Sequence, residues 1–245
     1  MSRTEAPVLA AVGVHKRFDA LVVLQAVDFA LGADEAVGIV GPNGAGKTTL
    51  LNVLGGSLRP TAGRVELEGA DVTRLGAAQR CRRGIGRAYQ VPRPFSGMTV
   101  FENVYVGAAT GGGRRGSEAY GRCADALELC GIADRANRRA ETLGLLDRKR
   151  LELARALATD PRVLLLDEIG GGLTDAEAVD LVATVNELRA RGIAVVWIEH
   201  IVHVLVQVVE RLVCMDAGRV IADGDPHEVM QDARVVDAYL GTAAA

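Results

Sequence analysis

Apolar residues fall along this chain in two rhythms. Short, nearly continuous apolar runs occupy Val8–Val14, Ala36–Val40, Val163–Leu166 and Ile193–Ile198, and Arg64–Glu68 is strand-like before Gly69. Runs of this length, rich in valine, isoleucine and leucine, predict β-strands; the two late ones lack polar alternation, as strands covered on both faces do. Between those two, Asp175–Arg189 repeats Val179, Val182, Val185 and Leu188 at helical spacing, which predicts a crossover helix. Lys47–Gly55 reads as another helix. A strand–helix–strand order of this kind implies a parallel sheet and an α/β fold.

The middle of the chain has a different texture. From Thr99 to about Ala158 the pattern is helical with no comparable strand, and Gly111–Gly116 reads as an exposed loop. The expectation is a helical subdomain, about residues 91–159, inserted between two parts of one α/β core at 1–90 and 160–245. The tail, Val229–Leu240, reads as short helices packed on that core. No internal repeat is visible.

Composition narrows this picture. The chain has 245 residues, 49% hydrophobic and 24% charged, with a net charge of -3. That suffices for one large domain or one domain with a modest subdomain, and it excludes disorder. The slightly acidic balance argues against nucleic acid as a partner. Mean hydropathy is positive, +0.18, yet Val163–Leu166, Ile193–Ile198 and Ile201–Val209 all fall short of the ~20 apolar residues a spanning helix needs. Met1–Pro7 lacks a basic start followed by an apolar run, so no signal peptide is expected, and the reading is a soluble, cytosolic chain. Cys81, Cys123, Cys130 and Cys214 show no paired spacing and read as buried free thiols, with a disulfide or zinc site as the lesser alternative. Lysine is scarce: Lys16, Lys47 and Lys149 stand among 28 basic residues.

One of those lysines sits in a motif that fixes the chemistry. Ala36–Val40 is followed by Gly41-Pro42-Asn43-Gly44-Ala45-Gly46-Lys47-Thr48-Thr49. This satisfies G-x-x-x-x-G-K-[ST] with a strand before it and a helix after it. Glycines let backbone N–H groups approach phosphate, and the helix N-terminus adds partial positive charge. Lys47 would reach the β- and γ-phosphates, and the Thr48 hydroxyl would coordinate Mg²⁺. A second run, Val163–Leu166, ends in Asp167-Glu168. At the carboxyl end of a parallel strand Asp167 would act on the metal through its water shell, while Glu168 would polarise an attacking water. Ile193–Ile198 ends in Glu199-His200, which puts His200 at the same edge within reach of a γ-phosphate.

With these pieces the chain resembles the ATP-binding cassette (ABC) ATPases over essentially its whole length. The resemblance implies a P-loop core with a parallel sheet, an antiparallel β subdomain and an inserted helical subdomain. It implies ATP and Mg²⁺ as ligands, with Phe18 stacking on adenine and Gln90 touching Mg²⁺ and coupling core to subdomain. It further implies Asp167 as the metal acid, Glu168 as catalytic base, Gly172-Leu173-Thr174 as a dimer-contact loop and His200 as the switch histidine. The segment from Gln90 to Val104, Trp197-Ile198-Glu199-His200 and the end Ala238-Tyr239-Leu240-Gly241 are similar to the ATPases of bacterial branched-chain amino-acid uptake systems. Such a subunit would work with a second ABC ATPase subunit and a polytopic membrane permease, peripheral to the inner face of the membrane. An extracytoplasmic solute-binding protein would take part indirectly.

One stretch departs from the family. Its signature, typically Leu-Ser-Gly-Gly-Gln, corresponds to Leu143-Gly144-Leu145-Leu146-Asp147 here. The resemblance makes this stretch a contact with the partner's γ-phosphate. The lost serine, the leucine for glycine and the acid for glutamine would remove donors worth about 2–4 kcal/mol each if they act as oxyanion donors do. The proline that commonly follows the catalytic glutamate is Ile169. The expectation is therefore a dimer, hetero- favoured over homo-, with one competent ATP site. Two alternatives remain: a low-turnover regulatory subunit, which ATPase assays in the complex would separate, and a soluble non-transport ABC ATPase, which co-purification with a permease would exclude.

Overall fold

The computed structural model, which describes residues 6–241, resolves the apolar runs into two sheets; the first five residues of the N-terminal reading lie outside it. The first elements are β1 (Leu9–Phe18), β2 (Leu21–Leu31), β3 (Ala36–Val40), α1 (Lys47–Leu54), β4 (Ala62–Leu67) and β5 (Ala70–Asp71). Of these, β2, β1, β4 and β5 form an antiparallel sheet in that order. Then come α2 (Ala77–Cys81) and β6 (Ile85–Ala88), followed by the helical stretch α3 (Val100–Val106), α4 (Gly116–Leu129) and α5 (Leu145–Leu157). The chain returns through β7 (Val163–Asp167), α6 (Asp175–Ala190), β8 (Ala194–Ile198) and α7 (Val202–Leu205). It ends with β9 (Arg211–Asp216), β10 (Arg219–Gly224), α8 (Pro226–Gln231) and α9 (Ala233–Gly241). The second sheet runs β10-β9-β3-β8-β7-β6, parallel except for β10 at one edge.

The continuous apolar runs follow from burial on both sheet faces. Along β7, Val163 and Leu165 enter the apolar layer between the sheets, while Leu164 and Leu166 enter the layer shared with the helical stretch. β8 alternates likewise, Val196 and Ile198 on one side and Val195 and Trp197 on the other. With both faces dry there is no polar half to the pattern. β2 is invisible to either rhythm for a local reason. Its buried residues are Leu24, Val27, Phe29 and Leu31, and the step of three spans Ala26, which has φ of 48° at a register shift against β1. That bulge moves the alternation by one residue.

Two details correct the sequence reading. Val179 of α6 is 60% exposed, and the buried stripe is Ala178, Leu181, Val182, Val185 and Leu188. A strict i, i+3 series drifts around a helix of 3.6 residues per turn, so its first member leaves the stripe. Gly111–Gly116 is not one exposed loop. Gly111 closes a π-helical turn, Gly107–Gly111, and a Cβ there would stand 2.6 Å from Thr159 Cγ2; Arg114 reaches Glu118 and, at 2.8 Å, Asp160. All four cysteines are free, and Cys123, Cys130 and Cys214 are buried.

The C-terminus of α1 is closed by a residue from another element. Arg80 of α2 is fully buried, and its guanidinium donates to the Val53 and Leu54 carbonyls at 2.7 Å each and to Leu75 at 3.1 Å. A cation on the last carbonyls satisfies acceptors that a helix leaves unpaired and complements its dipole. Arg80→Ala should lower stability by about 3 kcal/mol, the scale of losing charge-assisted bonds to buried carbonyls, as a lower midpoint in urea unfolding; an unchanged midpoint would deny Arg80 this role.

Candidate nucleotide-phosphate site

Parallel pairing carries the carboxyl ends of β3, β8, β7 and β6 to one edge of the sheet. β3 delivers the glycine-rich loop. Gly41 has φ of 142°, and a Cβ there would lie 2.0 Å from the Met215 carbonyl oxygen, so no side chain fits. The Gly41 peptide is held on both sides: its N–H donates to Tyr239 Oη at 2.9 Å, and its carbonyl accepts from Lys47 Nζ at 2.7 Å. Lys47 also donates to the Pro42 carbonyl at 3.0 Å. Burial pulls the pKa of this ammonium down, against the upward pull of Glu168. Gly46, left-handed at φ 102°, caps α1 with no side chain, so the first N–H groups of that helix are open to an anion. Residues 43–49 line a cavity there together with Val23 and Glu168.

The acids arrive from β7. Asp167 ends that strand, almost wholly buried, with Oδ1 3.5 Å from the Thr48 hydroxyl and Oδ2 2.7 Å from Arg87 Nη2. Glu168 follows at φ 48°, a left-handed conformation uncommon outside glycine, while its N–H still bonds to the Ile198 carbonyl at 2.8 Å. Two groups hold its carboxylate. Gln90 Nε2 donates to Oε2, and His200 Nε2 lies 2.8 Å from Oε1. Beneath them Glu199 is buried and accepts from the Gly170 N–H at 2.5 Å and the His200 N–H at 3.2 Å; burial pushes its pKa up. Lys149 of α5, also buried, donates to the Ile169 carbonyl at 2.8 Å, and burial pulls its pKa down.

Most residues singled out in the sequence meet here: Lys47, Thr48 and Glu168 around one cavity, Asp167 beside Thr48, and Gln90 and His200 on Glu168. Phe18 stands apart, exposed at the end of β1 with Lys16 Nζ 4.7 Å from its ring centroid. Sequence reasoning missed Arg87, Asn52, Lys149, Glu199 and Tyr239. Lysine scarcity was a usable signal for Lys149; nothing local marks Asn52. A hydroxyl and one carboxylate suit Mg²⁺, which takes few protein oxygens and completes its octahedron with phosphate and water. Among the described residues no group of three or more histidines, cysteines and acids could hold a metal alone. The stretch Leu143–Asp147 begins α5. Gly144 caps it without a side chain, Leu145 is exposed, and Asp147 Oδ2 lies 3.0 Å from Arg135 Nε, so its charge is paired within the chain.

Comparison with known proteins agrees with this geometry. Residues 24–170 match the family model described as ABC transporter, and residues 219–245 match that of the branched-chain amino acid ATP-binding cassette transporter. The chain is 36% identical to the high-affinity branched-chain amino acid transport ATP-binding protein LivG of Salmonella typhimurium, over 97% of this chain and 99% of that one. It is 34% identical, with the same coverage, to BraF of Pseudomonas aeruginosa, which bears the same description. It is also 32% identical to the lipopolysaccharide export system ATP-binding protein LptB of Haemophilus influenzae, over 96% and 97%. Among solved structures, the ADP conformation of the ABC transporter cassette MJ1267 superposes with a TM-score of 0.89 at 30% identity, covering 97% of this chain and all of that one. The larger matched region opens in β2 and closes two residues past Glu168, taking in the whole phosphate loop and both acids; this chain belongs to the ABC transporter family and carries its ATP-hydrolysing P-loop cassette.

Proposed function

We propose that this chain is the ATP-hydrolysing subunit of a bacterial importer for branched-chain amino acids or related small polar solutes, driving a membrane permease. The observation that carries it is the meeting of Lys47, Thr48, Asp167 and Glu168 at one sheet edge, with Gln90 and His200 already on the base. The cassette alone does not choose the solute, since a lipopolysaccharide exporter's ATPase is nearly as similar as the LivG proteins. The choice rests on the C-terminal match at 219–245 and on the names of LivG and BraF. No helix among the described residues is long and apolar enough to cross a membrane, in keeping with a subunit attached to the inner face through its permease. A solute-binding protein outside would deliver the cargo.

ATP enters by replacing contacts that the chain makes with itself. Lys47 leaves the Gly41 and Pro42 carbonyls for the β- and γ-phosphates, while backbone N–H groups of residues 43–49 and the α1 N-terminus take the remaining oxygens. Thr48, Asp167 and the Gln90 side chain would hold Mg²⁺, which supplies neutralisation of phosphate charge. Glu168 orients and deprotonates the attacking water, and His200 contacts the γ-phosphate from the adjacent strand end. Phe18 stacks on the adenine. Gln90 lies between the core and the helical subdomain at about 91–159, so its hold on Glu168 passes the state of the nucleotide toward the permease.

The dimer is asymmetric in this reading, with a second ATPase subunit of different sequence. Asp147 is neutralised by Arg135, so what Leu143–Asp147 lacks is the serine hydroxyl and the close backbone approach of the two glycines, replaced by Leu145 and Leu146. The partner's ATP meets this weak stretch, while this chain's ATP meets a normal one. In the assembled transporter Glu168→Gln should therefore abolish ATP turnover; turnover near wild type would place the competent site on the partner. Restoring the stretch with Gly144→Ser, Leu145→Gly, Leu146→Gly and Asp147→Gln together should raise turnover per complex by about twofold as a second site becomes competent. Unchanged turnover would mean that another arrangement already supplies those contacts.

A further inference from the structure

Asp167 already has a cation. Its side chain is 6% exposed, and the 8% exposed Arg87 lies 2.7 Å from Oδ2. Arg87 is itself held on two further sides: Nη1 donates to Asn52 Oδ1 at 2.7 Å, and the guanidinium carbon lies 4.5 Å from the Tyr89 ring centroid. Asn52 stands four residues after Thr48 on α1, hence on the same helix face. The two oxygens of Asp167 are thus divided. Oδ2 is bound to Arg87, and Oδ1 points toward the Thr48 hydroxyl. Thr48, Asn52, Arg87, Gln90 and Asp167 share the wall of a cavity of about 540 Å³.

We propose that Arg87 is a positioning residue for the metal site, the charge partner of Asp167 before magnesium arrives and the group that fixes which carboxylate oxygen the metal meets. This rests on the assignment of Mg²⁺ to Thr48 and Asp167 made above. A buried carboxylate without a partner is strongly unfavourable, so Asp167 needs a cation in the nucleotide-free state. Because Arg87 is anchored by Asn52 and Tyr89, it keeps Oδ2 and leaves Oδ1 free when a metal binds. Its positive charge then opposes a second cation a few ångströms away, so metal binding is weaker with Arg87 present than without it. The guanidinium therefore trades metal affinity for an ordered, neutralised site. A merely structural ion pair would support the fold equally with and without magnesium and leave the magnesium requirement unchanged.

The test is performed on the full chain, following a fluorescent ATP analogue against free Mg²⁺ and melting temperature in EDTA and in Mg²⁺. Arg87→Gln should melt lower in EDTA, recover more on adding Mg²⁺ and nucleotide than the parent does, and reach half-saturation at about tenfold lower Mg²⁺, as expected for removing a nearby unit charge. Arg87→Met, which fills space without charge, should shift the same way and serves if the glutamine variant does not fold. Arg87→Lys keeps the charge but not the fork held by Asn52 and Tyr89, so its half-saturation should shift less than in either uncharged variant. Half-saturation unchanged or raised in both uncharged variants would overturn the proposal. Asp167→Asn must itself raise half-saturation severalfold; if it does not, the metal assignment fails, whereas a shift there with none at Arg87 sinks only the role of Arg87.

Discussion

Parallel pairing of β3, β8, β7 and β6 is the constraint from which the site follows. In a parallel sheet every strand leaves by the same edge, so the phosphate loop, Glu199-His200, Asp167-Glu168 and the segment reaching Gln90 converge there without any loop having to find the others. The order matters as well as the direction. β8 lies between β3 and β7, which sets the strand carrying His200 between the lysine and the acids. Both faces of β7 and β8 are dry, so a one-residue register slip would exchange the side chains packed into the two apolar layers and disturb both at once.

On that frame, two kinds of contact tune the edge. Cations resting on backbone carbonyls form one kind: Lys47 on Gly41 and Pro42, and Lys149 on Ile169. Carboxylates form the other, each with a partner from another segment of the chain: Asp167 with Arg87, Glu168 with Gln90 and His200, Glu199 with Gly170. Lys149 belongs to α5, whose first turn overlaps Leu143–Asp147, and its bond to the Ile169 carbonyl joins that helix to the loop after β7. The Ile169 carbonyl is held by Lys149 and its side chain is buried.

The parts of this arrangement legible in the sequence are those written in local pattern. β3 and α1 appear almost residue for residue because an apolar run, a glycine loop and a Gly-Lys-Thr step are adjacent in the chain. β7 and β8 appear because burial on two faces erases polar alternation. β2 does not, since its bulge at Ala26 breaks the phase. The partners of the acids were hidden for another reason. Arg87 and Asp167 are 80 positions apart, Lys149 and Ile169 20, Gly41 and Tyr239 198, and no short-range rhythm links them. Val179 and the Gly111 turn misled because a periodic or glycine-rich string records propensity, while tertiary packing decides exposure: the buried stripe of α6 leaves Val179 out, and Gly111 sits against Thr159.

If one sheet edge forms a nucleotide-phosphate site with Lys47 as its cation, ATP binding to the isolated chain carrying Lys47→Ala must show it. The resting contacts of Lys47 are with carbonyls of its own loop, so removing it leaves strands and helices in place. Affinity should fall by about tenfold or more, the scale of a charge-assisted phosphate contact, with far-ultraviolet circular dichroism unchanged. Full ATP affinity in that variant would mean that Lys47 does not hold the phosphates at this edge.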